Sequence, residues 1–165
     1  MLNIQKSYTG TNQISLSDVK NYLKIDYTTD DTLLTNLITE AREVLEDFTN
    51  IGFIEATITG ITESTYFIKL PYGPINNIHY IKTYETGTDI SYTYDGFYLK
   101  PDYLTNEKLK IVYDAGYDSD LENKYKRVWF ESISYLYENR GDEPLMNWLY
   151  YNVPVNLLSE NTLWL

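Results

Sequence analysis

Acidic side chains and one histidine are the groups of this 165-residue chain that could take part in chemistry. His79 lies between Ile78 and Tyr80 in a pattern typical of a strand, so we expect a surface or half-buried strand residue. With a single histidine and no cysteine, the chain lacks the ligands of a histidine-based or thiolate zinc site. If the chain used a Ser-His-Asp mechanism, His79 would be the only histidine available as its base.

Neighbouring carboxylates could instead hold Mg²⁺ or Ca²⁺ through oxygen ligands. The candidate groups are Asp30 with Asp31, Glu43 with Glu46 and Asp47, and Asp118 with Asp120. The first and last groups stand where helix caps belong, and the middle group falls on a helix face that water can solvate. We therefore interpret them as structural, and a carboxylate-based metal-dependent hydrolase or nuclease is a remote alternative.

Composition excludes several other classes of function. The net charge of −11 argues against tight binding of nucleic acid, which needs clustered lysine and arginine. The glycines are dispersed, without a phosphate-binding motif. No run of about 18 apolar residues and no apolar leader is present, so we expect no membrane attachment. Eighteen tyrosines suit a protein-binding surface, although an AT-rich genome would also favour tyrosine codons.

Apolar periodicity predicts three helices, over about residues 15–24, 31–49 and 120–139. The central helix carries a buried stripe along Leu33–Phe48, and its polar face includes Arg42 and Glu46, which we expect to be solvated. Ser15 and Asp18 have the spacing of a capping box. We expect Asp118 and Asp120 to cap the third helix.

Between the second and third helices, the period changes to that of strands over about residues 53–114. Asp95-Gly96 between two short strands is a strong hairpin signal. No helix-length segment separates the strands, so we predict an α+β fold with an antiparallel β meander or small sandwich inserted between the helices. We interpret Met1–Gln13 as a polar arm and residues 1–141 as a single domain.

Residues 142–165 are too apolar for an ordinary terminus. Two alternatives stay open for this segment. It either folds back to complete the core of its own subunit or docks on another subunit or protein.

Four stretches, in this order, resemble the head–tail connector family of tailed phages, also described as DNA-packaging or head-completion adaptors. They are SLSDVKNYLKI (15–25), DYTTDDTLLTNLITEAREVLEDFT (26–49), IKLPYGPINNI (68–78), and the pair VYDAGY (112–117) with SYLYENR (134–140). The resemblance spans about residues 15–158. It departs from the family pattern at Leu121-Glu122-Asn123-Lys124, where many relatives have proline and lysine, and at the C-terminal end, which lacks the usual basic residue.

This resemblance implies a non-enzymatic virion protein without a cofactor, located at the head–tail junction and in the host cytoplasm during assembly. Such proteins form a ring beneath the portal protein, expected to be twelve-fold to match it. The ring extends the DNA channel, through which DNA passes without specific binding, and docks the next neck or tail protein. A tail-terminus or neck protein that contacts the tail side is the alternative.

The resemblance also suggests that the C-terminal segment, 142–165, binds the portal. Because buried aromatic side chains dominate interface energies, we expect its large apolar residues to be the anchors. The predicted partner-binding residues are Trp148, Leu149, Tyr150, Tyr151, Leu163, Trp164 and Leu165.

Overall fold

A computed structural model describes residues 3–139 and 144–153 of the chain. Contacts group the chain into two compact units, each built from two separate segments. The sheet unit comprises Met1–Thr11 and Ile54–Tyr117, and the helical unit comprises Asn12–Phe53 and Asp118–Leu165. The predicted division into a domain, 1–141, and a docking segment, 142–165, stays a prediction.

Helices and antiparallel strands follow one another in the order expected for the predicted α+β fold, which is confirmed. The elements are β1 (Asn3–Tyr8), α1 (Leu16–Leu23), α2 (Asp31–Thr49), β2 (Ala56–Thr62), β3 (Ile68–Lys69), β4 (Ile75–Thr83), β5 (Tyr92–Tyr94), β6 (Tyr98–Pro101), β7 (Leu109–Ala115), α3 (Asn123–Glu138) and α4 (Leu145–Asn152).

The sheet unit holds two antiparallel sheets rather than one sequential meander. One has the strand order β1-β2-β7-β4 and the other β3-β6-β5. Alternate residues of both sheets enter one apolar core, with Ile58, Leu99 and Tyr113 fully buried. This arrangement corresponds to the small-sandwich alternative.

Strand β1 corrects the interpretation of the N-terminal residues as a polar arm. It pairs in continuous register with β2, from Asn3 opposite Ile61 to Tyr8 opposite Ala56. Polar residues alternate with partly buried ones along β1, and the Lys6 ammonium lies over the Tyr72 ring at 4.2 Å. Ile4 and Tyr8 pack against the core of the sheet unit, and the backbone pairing with β2 completes the strand. A pattern with only two apolar residues in six does not reveal a strand that depends on a distant partner.

The helical unit begins at the capping box predicted from the sequence. The Asp18 N–H donates to Ser15 Oγ at 3.1 Å, and the Ser15 N–H donates to Asp18 Oδ2 at 2.9 Å. These bonds satisfy backbone donors at the start of α1. Helix α2 ends at Asn50, which adopts the left-handed conformation with φ of 54°.

Trp129 of α3 is the centre of the helical core. Its side chain is fully buried, and its indole N–H donates to the carbonyl of Ile38 in α2 at 2.9 Å. The ring of Phe53 lies 5.7 Å from the rings of both Trp129 and Tyr125. These contacts join the two predicted amphipathic helices, which are separated in sequence by the Ile54–Tyr117 segment of the sheet unit.

Helix α4 packs on the same unit, with Leu145, Leu149 and Val153 buried. For residues 144–153, the fold-back alternative therefore applies. Residues 154–165 lie outside the described part of the chain, and for them both alternatives stay open.

Two polar residues of α2 are buried, whereas the sequence predicted that they would be solvated. Arg42 and Glu46 are 4% and 1% exposed. A Glu46 carboxylate oxygen accepts the Phe53 N–H at 3.0 Å, and the Arg42 guanidinium donates to Asn12 Oδ1 at 3.3 Å and to Glu43 at 3.1 Å. The turn after α2 buries a backbone donor, and Glu46 supplies the acceptor it needs.

We expect Glu46→Ala to destabilise the protein by about 1–3 kcal/mol, because the buried Phe53 N–H would lose its acceptor. Urea unfolding followed by circular dichroism measures this change. Glu40→Ala is the matched control, since Glu40 is exposed on the same helix, and its effect should stay within about 0.5 kcal/mol. Equal effects of the two substitutions would contradict the structural role of Glu46.

Candidate interaction surfaces

His79 lies on β4 as an exposed strand residue, as expected from the sequence. Its Nε2 is 2.8 Å from Asp114 Oδ2, and the other Asp114 oxygen accepts the Thr57 hydroxyl at 2.7 Å. Partial burial alone would raise the pKa of Asp114, but the hydrogen bonds from His79 and Thr57 outweigh it and hold that pKa below its ordinary value. The cluster joins three neighbouring strands, β2, β7 and β4.

Two of the carboxylates considered as metal ligands, Asp30 and Asp31, have separate structural partners. Asp31 pairs with Lys20 at 2.7 Å, and Asp30 accepts the Tyr137 hydroxyl at 2.6 Å. That bond, followed by one with Tyr27, raises the pKa of Tyr137. Across residues 3–139 and 144–153, no three His, Asp or Glu side chains converge as a metal site would require.

Asp118 and Asp120 do not cap α3, which corrects the predicted helix start at about residue 120. The helix begins at Asn123, and Glu122 holds the N-cap position without a side-chain cap bond. Leu121 is buried and its N–H donates to Gln13 Oε1 at 2.9 Å. Because of this bond, Leu121 lies before the start of α3, although the apolar periodicity of the sequence includes it in the helix.

Four of the predicted partner-binding residues lie on α4 and differ in their exposure. Tyr150 and Tyr151 are 71% and 86% exposed, whereas Leu149 is fully buried in the helical core. Trp148 is half-buried and stacks on Tyr135, with ring centroids 5.3 Å apart. The other three, Leu163, Trp164 and Leu165, lie outside the described residues.

The Trp148 side chain also borders a shallow groove of about 230 Å³ in the helical unit. Tyr22 and Tyr135 line its aromatic part, and Glu131 and Glu138 contribute carboxylates. The Tyr150 ring lies edge-on to Phe48 of α2 at 6.3 Å. Exposed aromatic surface beside a groove is typical of a protein-binding site rather than of a catalytic pocket.

A second exposed surface lies on the sheet unit, and the sequence interpretation did not identify it. We define the aromatic–lysine patch as Phe67, Lys69, Tyr98 and Lys100. Lys69 is directly opposite Tyr98 in the β3–β6 register, and Lys100 follows Tyr98 by two residues, so all three share one face. The rings of Phe67 and Tyr98 are 5.9 Å apart, and the Lys100 ammonium lies 5.5 Å from the Phe67 centroid.

The patch borders the predicted Asp95-Gly96 hairpin, which is confirmed. Lys100 pairs with Asp95 at 2.6 Å, and Asp95 Oδ1 also accepts the N–H groups of Tyr98 and Phe97. The Lys100 hydrogen bond, followed by these two backbone bonds, holds the pKa of Asp95 well below its ordinary value. The ionised carboxylate thus fixes both the turn and the position of Lys100.

The family model of the Phage gp6-like head-tail connector protein matches residues 13–94. A search of curated proteins found no significant match. No helix in the described part of the chain has the length and apolar character to span a membrane.

Three solved structures are similar to this chain. The neck of an empty GTA particle computed with C6 symmetry matches with a TM-score of 0.70 and 16% identity, covering 87% of each chain. The virion of a native gene transfer agent particle matches with a TM-score of 0.69 and 16% identity, covering 87% of each chain. The neck of a native GTA particle computed with C12 symmetry matches with a TM-score of 0.69 and 17% identity, covering 87% of this chain and 86% of that chain. At these identities, the matches establish a shared fold.

Acidification should weaken the β5–β6 hairpin. Because the pKa of Asp95 is lowered on folding, its stabilising effect is present above the ordinary value of 3.8 and is lost as the pH falls toward the lower folded value. We expect the wild-type protein to lose more stability than Asp95→Asn between about pH 5 and about pH 2. Thermal unfolding at both pH values measures the difference.

Asp102→Asn serves as the control, since Asp102 is an exposed aspartate beyond the end of β6. This variant should retain the wild-type pH dependence. If Asp95→Asn also loses stability in parallel with the wild type, the ionised Asp95 carboxylate does not stabilise the hairpin.

Proposed function

The chain belongs to the Phage gp6-like head-tail connector family, and from this premise we propose that it forms a ring beneath the portal protein of a phage-like particle. In this role it is a structural virion protein that extends the DNA channel and docks the next neck or tail protein. The observation that carries the proposal is the family match over residues 13–94, which includes α1, α2 and the strands from β2 to β5.

The oligomeric part of the proposal is supported by the fold. Two of the similar structures are described as particle necks computed with C6 and C12 symmetry. A cyclic arrangement requires each subunit to present two different surfaces to its neighbours. The chain has exposed aromatic residues on both units, for example Phe67 and Tyr151. We propose a twelve-fold ring that matches the portal.

The charge of the chain is consistent with a channel that DNA crosses without being held. A net charge of −11 repels phosphates, so any DNA-facing surface would favour passage over binding. The proposal assigns the protein no enzymatic activity and no cofactor. The His79–Asp114 pair and the Lys20–Asp31 ion pair stabilise the structure in this interpretation.

For the portal contact, we propose α4 and the residues that follow it. Tyr150 and Tyr151 are the most exposed aromatic residues on the described part of the helical unit, and Trp148 lies beside them. Leu149 contributes indirectly, since its buried side chain anchors α4 to the helical core. Leu163, Trp164 and Leu165 extend the same apolar segment in sequence.

We expect Tyr150→Ala combined with Tyr151→Ala to raise the Kd for isolated portal by about 30-fold or more, because exposed tyrosines that become buried are typical binding hot spots. Biolayer interferometry measures the affinity. Tyr103→Ala is a matched control, since Tyr103 is 48% exposed on the sheet unit. Its Kd should equal that of the wild type.

Truncation after Val153 gives a second test, because it keeps the buried residues of α4 and removes Leu163, Trp164 and Leu165. This variant should remain folded and should lose affinity for the portal. Unchanged binding by both variants would contradict the assignment of the contact. A wild-type chain that binds the tail component and not the portal would favour the alternative role as a tail-side neck protein.

A further inference from the structure

The aromatic–lysine patch has the exposure of a contact surface. Phe67 is 62% exposed and Tyr98 is 41% exposed, although the residues between them in the sheet, Ile68 and Leu99, are buried. The patch is therefore the outward face of the three-stranded sheet, and its aromatic rings do not contribute to the core of the sheet unit. Exposed adjacent rings of this kind are enriched where a protein surface becomes buried on binding.

The patch is positively charged on a strongly acidic chain. Lys100 is partly neutralised by Asp95 at 2.6 Å. None of the ion pairs among residues 3–139 and 144–153 includes Lys69. With two lysines and one aspartate, the patch retains a net positive charge, and an acidic surface would complement it.

Helix α2 of the helical unit provides a surface of the required charge. Glu40, Glu43 and Asp47 are exposed, and their spacing places them along one side of the helix. We define these three residues as the acidic stripe. Glu43 is joined to Arg42 at 3.1 Å, which fixes one carboxylate at the boundary of the buried core.

We infer that the aromatic–lysine patch of one subunit binds the acidic stripe on α2 of a second copy of this chain. Pairing of two patches with each other would bring lysines together, which is unfavourable, whereas the patch and the stripe attract each other. A contact between two different surfaces is heterologous, and repetition of such a contact generates a ring when its rotation closes. This inference rests on the proposed function and identifies the subunit interface of that ring.

Single-stranded nucleic acid is a different class of ligand that also uses aromatic rings and lysines. The observations favour a second copy, since the chain itself carries a complementary acidic surface, the exposed carboxylates along α2. Nucleic-acid binding is therefore one of the outcomes that the experiment must distinguish.

The direct test mixes equal amounts of ¹⁵N-labelled and unlabelled chain with isolated portal and couples amines to carboxylates with a carbodiimide. Mass spectrometry then identifies cross-links between a labelled and an unlabelled peptide, which can form only between two subunits. We expect mixed cross-links from Lys69 or Lys100 to Glu40, Glu43 or Asp47. Electron microscopy of the same sample shows whether rings have formed.

Charge exchange tests the same contact without cross-linking. Lys69→Glu should lower the association of subunits into rings by about tenfold, since it places a carboxylate opposite the acidic stripe. Adding Glu40→Lys to that variant should restore ring formation in part. Glu43 is left unchanged because it pairs with the buried Arg42. Lys110→Glu is the matched control, because it makes the same charge change on β7, outside the patch, and should form rings like the wild type.

The outcomes separate this inference from the proposed function. If rings form but the cross-links between subunits do not involve the patch, the inference is overturned and the ring proposal stays intact. Cross-links from the patch to the portal would have the same consequence. Absence of rings with the wild-type chain would overturn both. A fluorescent single-stranded oligonucleotide provides the remaining outcome. If the wild-type chain binds it, and Lys69→Glu abolishes this binding but leaves the rings unchanged, the patch binds nucleic acid and the inference is overturned.

Discussion

The contact between Trp129 and Ile38 is the interaction on which the helical unit depends. It joins residues 91 positions apart, because the Ile54–Tyr117 segment of the sheet unit lies between α2 and α3 in sequence. The buried indole fills the space between the helices, and its N–H is satisfied by a backbone carbonyl. Helix α4, with its exposed tyrosines, packs against both of the helices that this contact joins.

Local signals in the sequence predicted much of the fold. The Ser15–Asp18 capping box, the extent of α2 and the Asp95-Gly96 hairpin each depend on residues close together in the chain. Errors arose where a distant partner decides the structure. Strand β1 requires β2, Glu46 requires the Phe53 N–H, and the start of α3 is set by Gln13, and none of these partners can be identified from periodicity.

The interaction surfaces were predictable in composition but not in detail. Leu149 and Tyr150 are adjacent apolar residues that looked equivalent in sequence, yet one is fully buried and the other is 71% exposed. The patch around Phe67 was missed because an aromatic residue beside a strand indicates burial as readily as exposure. Only pairing between β3 and β6 places its rings and lysines on one outward face.

The interleaving of the two units sets an order for their completion during synthesis. The sheet unit needs residues up to Tyr117, whereas the helical unit, although it begins at Asn12, also needs the segment from Asp118 onward. During synthesis on a ribosome, the sheet unit can therefore fold before Trp129 has emerged, while the apolar stripe of α2 has no α3 to pack against. During that interval the exposed stripe is a target for chaperones and a risk for aggregation, which a slower translation of the last segment would prolong.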